Sequence, residues 1–233
     1  RGTTSRATGY AHHPYSIQSP PATSFLDPDT AVLADRSRLY SVLDRAAAAG
    51  RVPAALPMWI TEYGYQTNPP DPLRGVTPGE QARWLSEAEL ITWGDPRVAA
   101  QAQFLLRDDE LRHQYPASDR RHFSTYQSGL QYADGSHKPA YAAYRLPLFA
   151  PSRIGQAEPL KLWGMVRAAP NGTLQPVELQ WRADPSLEWQ TLTALLVDDP
   201  RGYFTYTLDG PRGGEYRFVW EGTPSAPVGV LVG

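Results

Sequence analysis

The run Met58-Trp59-Ile60-Thr61-Glu62-Tyr63-Gly64-Tyr65 constrains the fold of this chain more than any other stretch. It is apolar at its start and too short for a helix of ordinary length. Proline-containing segments, Val52–Pro57 and Asn68–Pro72, lie on both sides. That pattern predicts a buried strand. The strand closes on a carboxylate, and burying a carboxylate costs several kcal/mol unless it is paired or used. Glu62 is therefore the first candidate functional residue.

The chain around it alternates. Residues 1–8 are small and polar and read as a tail or linker. Gly9 to Tyr15 read as a short strand stopped at Pro14, which lacks the N–H a ladder needs. A Ser- and Pro-rich loop leads to a helix over 30–49, with Leu33, Leu39, Tyr40 and Leu43 as a partial apolar stripe and Gly50 as its stop. Thr77-Pro78-Gly79-Glu80 reads as a capping box with proline at the first helical position, opening a helix that ends near Gly94. Residues 97–106 could continue that helix. Gly94 and Pro96 interrupt the helical pattern, so a third strand is the preferred reading. Residues 119–133 read as a further extended piece, and Lys138-Pro139 opens a final helix. Strand–helix alternation of this kind predicts an α/β fold with a parallel sheet. Residues at the carboxyl ends of such strands form the functional rim. His12, His13 and Tyr15, then Glu62, Tyr63 and Tyr65, then Asp108 and Asp109 all fall there. His12 should face away, since neighbours in a strand alternate.

After Pro151 the pattern changes. Residues 152–159 read as a linker. Strand-like runs follow at 160–167, 176–182, 189–197, 202–208, 215–221 and 228–232, separated by turn signals that include Asn171-Gly172 and Gly210 to Gly214. Short strands at this spacing predict an all-β immunoglobulin- or fibronectin-like sandwich over 151–233.

A net charge of −2 gives no electrostatic case for nucleic acid or an anionic membrane. The absence of cysteine removes disulfides and thiolate chemistry. No apolar run approaches the roughly 20 residues that span a bilayer. His and acid spacing fits no metal site, and no organic cofactor is implied. Asn171-Gly172-Thr173 fits a glycosylation sequon.

Several segments together resemble the clan A glycoside hydrolases, (β/α)8-barrel enzymes that include the family 5 cellulases and family 39 relatives. Trp59 to Gly64 is similar to their seventh strand, Ala11 to Tyr15 to the sixth, Gln103 to Asp109 to the eighth, and Ser128 to Tyr141 to the closing segment. The resemblance implies that residues 1–150 form the C-terminal portion of a TIM barrel, strands about six to eight, with Glu62 as the nucleophile of a retaining glycosidase. The family's acid/base, a glutamate in an Asn-Glu pair, has no counterpart, for no Asn-Glu occurs in the chain. Retaining hydrolysis needs two carboxyls about 5 Å apart. The chain is therefore expected to be a piece of a longer, secreted enzyme, inactive alone and monomeric, with an oligo- or polysaccharide as its partner. The expected substrate contacts are His13, Tyr15, Tyr63, Tyr65 and Trp93. Tyr65 reads as the better sugar platform and Asp108-Asp109 as a solvated strand-end turn. The alternative is a non-catalytic carbohydrate-binding or cell-surface module.

Overall fold

The computed structural model describes residues 6–209 and 213–233. Residues 1–5 of the expected tail and 210–212 of the expected turn lie outside the described residues. The chain is a mixed α/β protein, rich in strands and with few helices. It divides into two compact units, Arg1–Lys138 and Pro139–Gly233, earlier than the boundary expected at residue 150.

The first unit carries a parallel sheet of β1 (Tyr10–His12), β2 (Met58–Tyr63) and β3 (Val98–Gln103), with β2 in the centre. Helix α1 (Arg36–Ala48) links β1 to β2, and α2 (Pro78–Trp93) links β2 to β3. A 3-10 turn at Leu33–Asp35 precedes α1, taking up the front of the helix expected from residue 30. Gly50 ends α1 at φ +68°. Its N–H reaches Ala47 O and that of Arg51 reaches Ala46 O, which satisfies two carbonyls the helix would leave bare. The capping box of α2 is present. The Thr77 side chain accepts from Glu80 N at 3.2 Å, and the Glu80 carboxylate accepts from Thr77 N at 2.8 Å. Strand β3 confirms the break in helical pattern at Gly94 and Pro96.

One face of this sheet is covered. Met58 and Ile60 are buried there, as are Leu33, Leu43, Leu85 and Ala88 of the helical layer. The other face is open. Ala11, Trp59 and Ala100 share one row across the three strands, and all are exposed, Trp59 at 48%. Parallel sheets are ordinarily covered on both faces.

Residues 119–133 are not extended. They form a 3-10 turn, Arg120–Phe123, followed by loop. Asp119 holds the turn by accepting from Arg121 N. Asp108 also departs from the expected solvated turn. It is buried, and its Oδ1 accepts from Lys138 Nζ at 2.7 Å and from Gly129 N at 2.8 Å. Lys138, equally buried, donates in addition to Gln127 O at 2.9 Å. Only Asp109 of the pair is exposed.

The second unit begins with α3 (Pro139–Arg145) and continues as strands. Strands β4 (Leu148–Phe149), β6 (Leu160–Met165) and β9 (Tyr203–Leu208) make one sheet. A second comprises β5 (Arg153–Ile154), β7 (Gln175–Arg182), β8 (Gln190–Val197), β10 (Gly214–Trp220), β11 (Thr223–Pro224) and β12 (Val228–Val232). Strand β5 sits in the segment read as a linker, and it pairs in parallel with β12. Leu162 and Phe204 of the first sheet share one hydrophobic core with Leu179, Phe218 and Val230 of the second. Phe204 and Phe218 meet edge to face at 5.1 Å. Gly164 makes room for this, since a Cβ there would stand 2.4 Å from the Phe204 ring. Among the described residues, no helix is long and apolar enough to cross a membrane.

Candidate active site

The carboxyl edge of the parallel sheet gathers three segments: His13–Ile17 after β1, Glu62–Gln66 at the end of β2, and Phe104 after β3. Strict alternation along β2 would send Glu62 to the face of Met58 and Ile60. The ladder to β3 is irregular between Ile60 and Tyr63. Such irregularities re-aim side chains. Glu62 borders a cavity of about 530 Å³ together with Tyr15, Phe104, Tyr126, Arg74 and Ser128. It is the single carboxylate among the described residues lining it.

Both contacts to Glu62 fall on one oxygen. Tyr15 donates its hydroxyl to Oε2 at 3.1 Å, and His13 Nδ1 stands 3.3 Å from the same atom. His13 Nε2 lies 2.9 Å from Thr61 Oγ1, which fixes the ring's direction. Among the described residues, Oε1 of Glu62 makes no hydrogen bond. The carboxylate is thus anchored at one oxygen and presents the other. Burial, and then the neighbouring Glu62 charge, push the Tyr15 phenol far above its usual range, so Tyr15 stays a donor. His12 points elsewhere, its Nε2 lying 2.7 Å from Ala31 O.

Tyr63 and Tyr65 are not substrate platforms. Both are buried, and their hydroxyls meet at 2.7 Å. Tyr65 also donates to Ser19 O at 3.1 Å, and its ring packs on Trp84 at 5.1 Å. The Tyr63 ring lies parallel to Tyr15 at 6.2 Å and so supports the residue that holds Glu62. Trp93 falls at the opposite end of the sheet. Helix α2 runs back from the carboxyl edge, and the segment after it enters β3 beside the start of β2, where Met58 N donates to Arg97 O. Asp109 does not line the cavity either. Its carboxylate accepts from Tyr126 N at 3.1 Å.

The cavity wall contains residues that local sequence pattern did not mark. Phe104 follows β3 and meets Tyr126 edge to face at 5.3 Å, and Tyr126 is 53% exposed. An exposed aromatic beside a carboxylate is a surface on which a sugar ring can stack. The hydroxyl of Ser128 is buried and has no partner among the described residues. Two glutamines frame the wall. Gln81 Nε2 reaches Tyr65 O at 2.9 Å and Gly129 O at 3.1 Å, and Gln103 Nε2 reaches Ser128 O at 2.8 Å and Phe104 O at 3.0 Å. Gly64 fits this close approach, since a Cβ would lie 2.6 Å from Phe104 O. Among the described residues, no group of three or more His, Cys, Asp or Glu side chains is placed to hold a metal ion.

The buried phenols predict alkaline sensitivity. Burial pushes Tyr40 and Tyr63 up to about 12 from the ordinary 10.0, and Tyr15 and Tyr65 further. Folding favours their neutral forms. The stability they contribute is therefore fully present below pH 10 and is lost as the pH rises through 12. Unfolding by denaturant, followed by circular dichroism from pH 9 to 12, should show a falling midpoint. A flat profile would contradict the burial of these hydroxyls.

No family model and no curated protein matches this chain. Solved structures that are similar to it include the β-glucuronidase from Ruminococcus gnavus in complex with N1-substituted uronic isofagomine, and the same enzyme with uronic deoxynojirimycin. Each has 14% identity and a TM-score of 0.36, covering 59% of this chain and 22% of the other. The chain thus spans about a fifth of the length of these glycosidases. At that level of likeness, the functional reading rests on the geometry of the site.

Proposed function

We propose that this chain carries the nucleophile half of a retaining glycosidase site, with Glu62 as the attacking carboxylate. One observation carries this reading: Glu62 has one oxygen held by Tyr15 and His13 and the other unengaged, on the wall of a sugar-sized cavity. In the reaction, Oε1 forms a bond to the anomeric carbon as the bond to the leaving oxygen breaks. A general acid protonates that oxygen. Water, deprotonated by the same group, then displaces Glu62 and completes hydrolysis. Tyr15 and His13 keep the carboxylate oriented, and Tyr126 offers the face against which a sugar stacks.

The acid/base comes from elsewhere than the described cavity wall, because among the described residues lining it there is no second carboxylate. The sheet belongs to a larger α/β barrel, and the open face bearing Trp59 is where the remaining strands close over it. The β-rich unit is an accessory sandwich of immunoglobulin or fibronectin type. The partner is an oligo- or polysaccharide met outside the cell. A single carboxylate in an aromatic cavity also fits a sugar-binding module without turnover. Covalent labelling separates the two. The catalytically complete protein containing this chain, treated with an activated 2-deoxy-2-fluoroglycoside, should accumulate one glycosyl adduct on the peptide carrying Glu62. Binding of sugar without an adduct supports the module and removes the enzyme reading.

A further inference from the structure

Arg74 stands on the cavity wall opposite in charge to Glu62. Its position is built rather than incidental. It belongs to a tight loop whose ends are joined by Asn68 N to Val76 O at 2.7 Å and Val76 N to Gln66 O at 2.9 Å. Inside the loop Asp71 is fully buried. Its Oδ1 accepts from Leu73 N at 2.8 Å and Arg74 N at 3.3 Å, and its carbonyl accepts from Gly75 N at 3.0 Å. Gly75 leaves no slack, since a Cβ there would lie 2.4 Å from the backbone at Thr67, Asn68 and Asp71 alike. The backbone of Arg74 is thereby fixed at the cavity.

The guanidinium has no matching restraint. Among the described residues it makes no hydrogen bond and no ion pair. Glu62, the single carboxylate among the described residues of the cavity, is already engaged by Tyr15 and His13. Elsewhere the wall is apolar or neutral: Ile17, Phe104, Tyr126, Gln66 and Ser128. A neutral glycoside needs no cation there. A ring bearing a carboxylate or a sulfate would meet Glu62's repulsion, and a planar five-donor fork is the group that offsets it and reads such an anion with two parallel hydrogen bonds.

We infer that Arg74 is the specificity-determining residue of this site and that it selects acidic glycosides, sugars carrying one anionic group on the ring. This rests on the sugar-site reading of the cavity given above. The test is binding by the full 233-residue chain, followed by protein-observed NMR. The probes are methyl β-D-glucuronide, methyl β-D-glucoside 6-sulfate and methyl β-D-glucoside. At least one anionic probe should bind about tenfold tighter than the neutral one, a difference that shrinks with added salt. The tighter anion tells carboxylate from sulfate as the natural group. Arg74→Gln should erase the difference by weakening the anionic probes, bringing their affinities down to that of the neutral glucoside. Arg74→Lys, which keeps the charge without the fork, should recover part of it. Equal binding of all three probes by the unmodified chain overturns the role of Arg74 and leaves the cavity as a sugar site. Failure of all three to bind overturns the inference and the sugar-site reading together.

Discussion

Glu62→Ala, made in the catalytically complete protein that contains this chain, should lower glycosidase turnover by on the order of 10⁴-fold or more. Loss of a covalent nucleophile acts on that scale, equivalent to about 5 kcal/mol of barrier. The size follows from the site's construction. Among the described residues no other carboxylate borders the cavity to take over, and Tyr15 and His13 both converge on an oxygen that would be deleted. The fold should tolerate the change, because the Glu62 side chain is 34% exposed. The measurement is single-turnover release of an aryl leaving group, with circular dichroism to confirm folding. Turnover equal to the parent protein's would sink the assignment of Glu62.

The second large effect concerns stability. Lys138→Met should cost about 3–5 kcal/mol, because it strands the Asp108 carboxylate in a dry environment. Both members of the pair are nearly inaccessible, with side-chain exposures of 0% and 1%. Burial holds the Asp108 carboxyl above its usual range and the Lys138 amine below its usual range, so desolvation outweighs the attraction in each. The signs run in opposite directions. Stability drawn from Asp108 is present at low pH and fades as the pH rises through its raised pKa. Stability drawn from Lys138 is present at high pH and fades as the pH falls through its lowered pKa. At intermediate pH the charged pair is kept mainly by the lack of an alternative. The double variant Asp108→Asn with Lys138→Met should therefore recover most of what the single change loses. Equilibrium denaturation of the parent, both single variants and the double variant gives the coupling. A Lys138→Met protein as stable as the parent would show that water reaches Asp108.

What the amino-acid pattern revealed, and what it concealed, follows from the range of the interactions. Helix caps and strand runs are local. Thr77 and Glu80, three residues apart, announced α2, and the interruption at Gly94 and Pro96 announced β3. The strand that reaches Glu62 was legible because a short apolar run between proline-containing segments is local information. The burial of Tyr65 is not legible locally, because its hydroxyl finds Tyr63 and Ser19, and a satisfied hydroxyl lets the whole ring go inside. The position of Trp93 is not legible locally, because aromatic character carries no information about which end of a sheet a returning helix reaches. Asp108 looked solvated beside Asp109, since its partner Lys138 arrives from a distant part of the chain. Phe104, Tyr126 and Arg74 come from three separate loops, and no periodicity joins them.

The two glutamines behind the cavity have a consequence for the conditions under which the site keeps its shape. Gln81 and Gln103 tie the carbonyls of Tyr65, Phe104, Ser128 and Gly129 with side-chain amides. Amides carry no proton to gain or lose over the range in which carboxylates and imidazoles change charge. Acid and base therefore reach the working groups while the frame that sets their spacing stays uncharged. The geometry should instead give way where the buried Asp108–Lys138 pair changes protonation or where the buried phenols ionise.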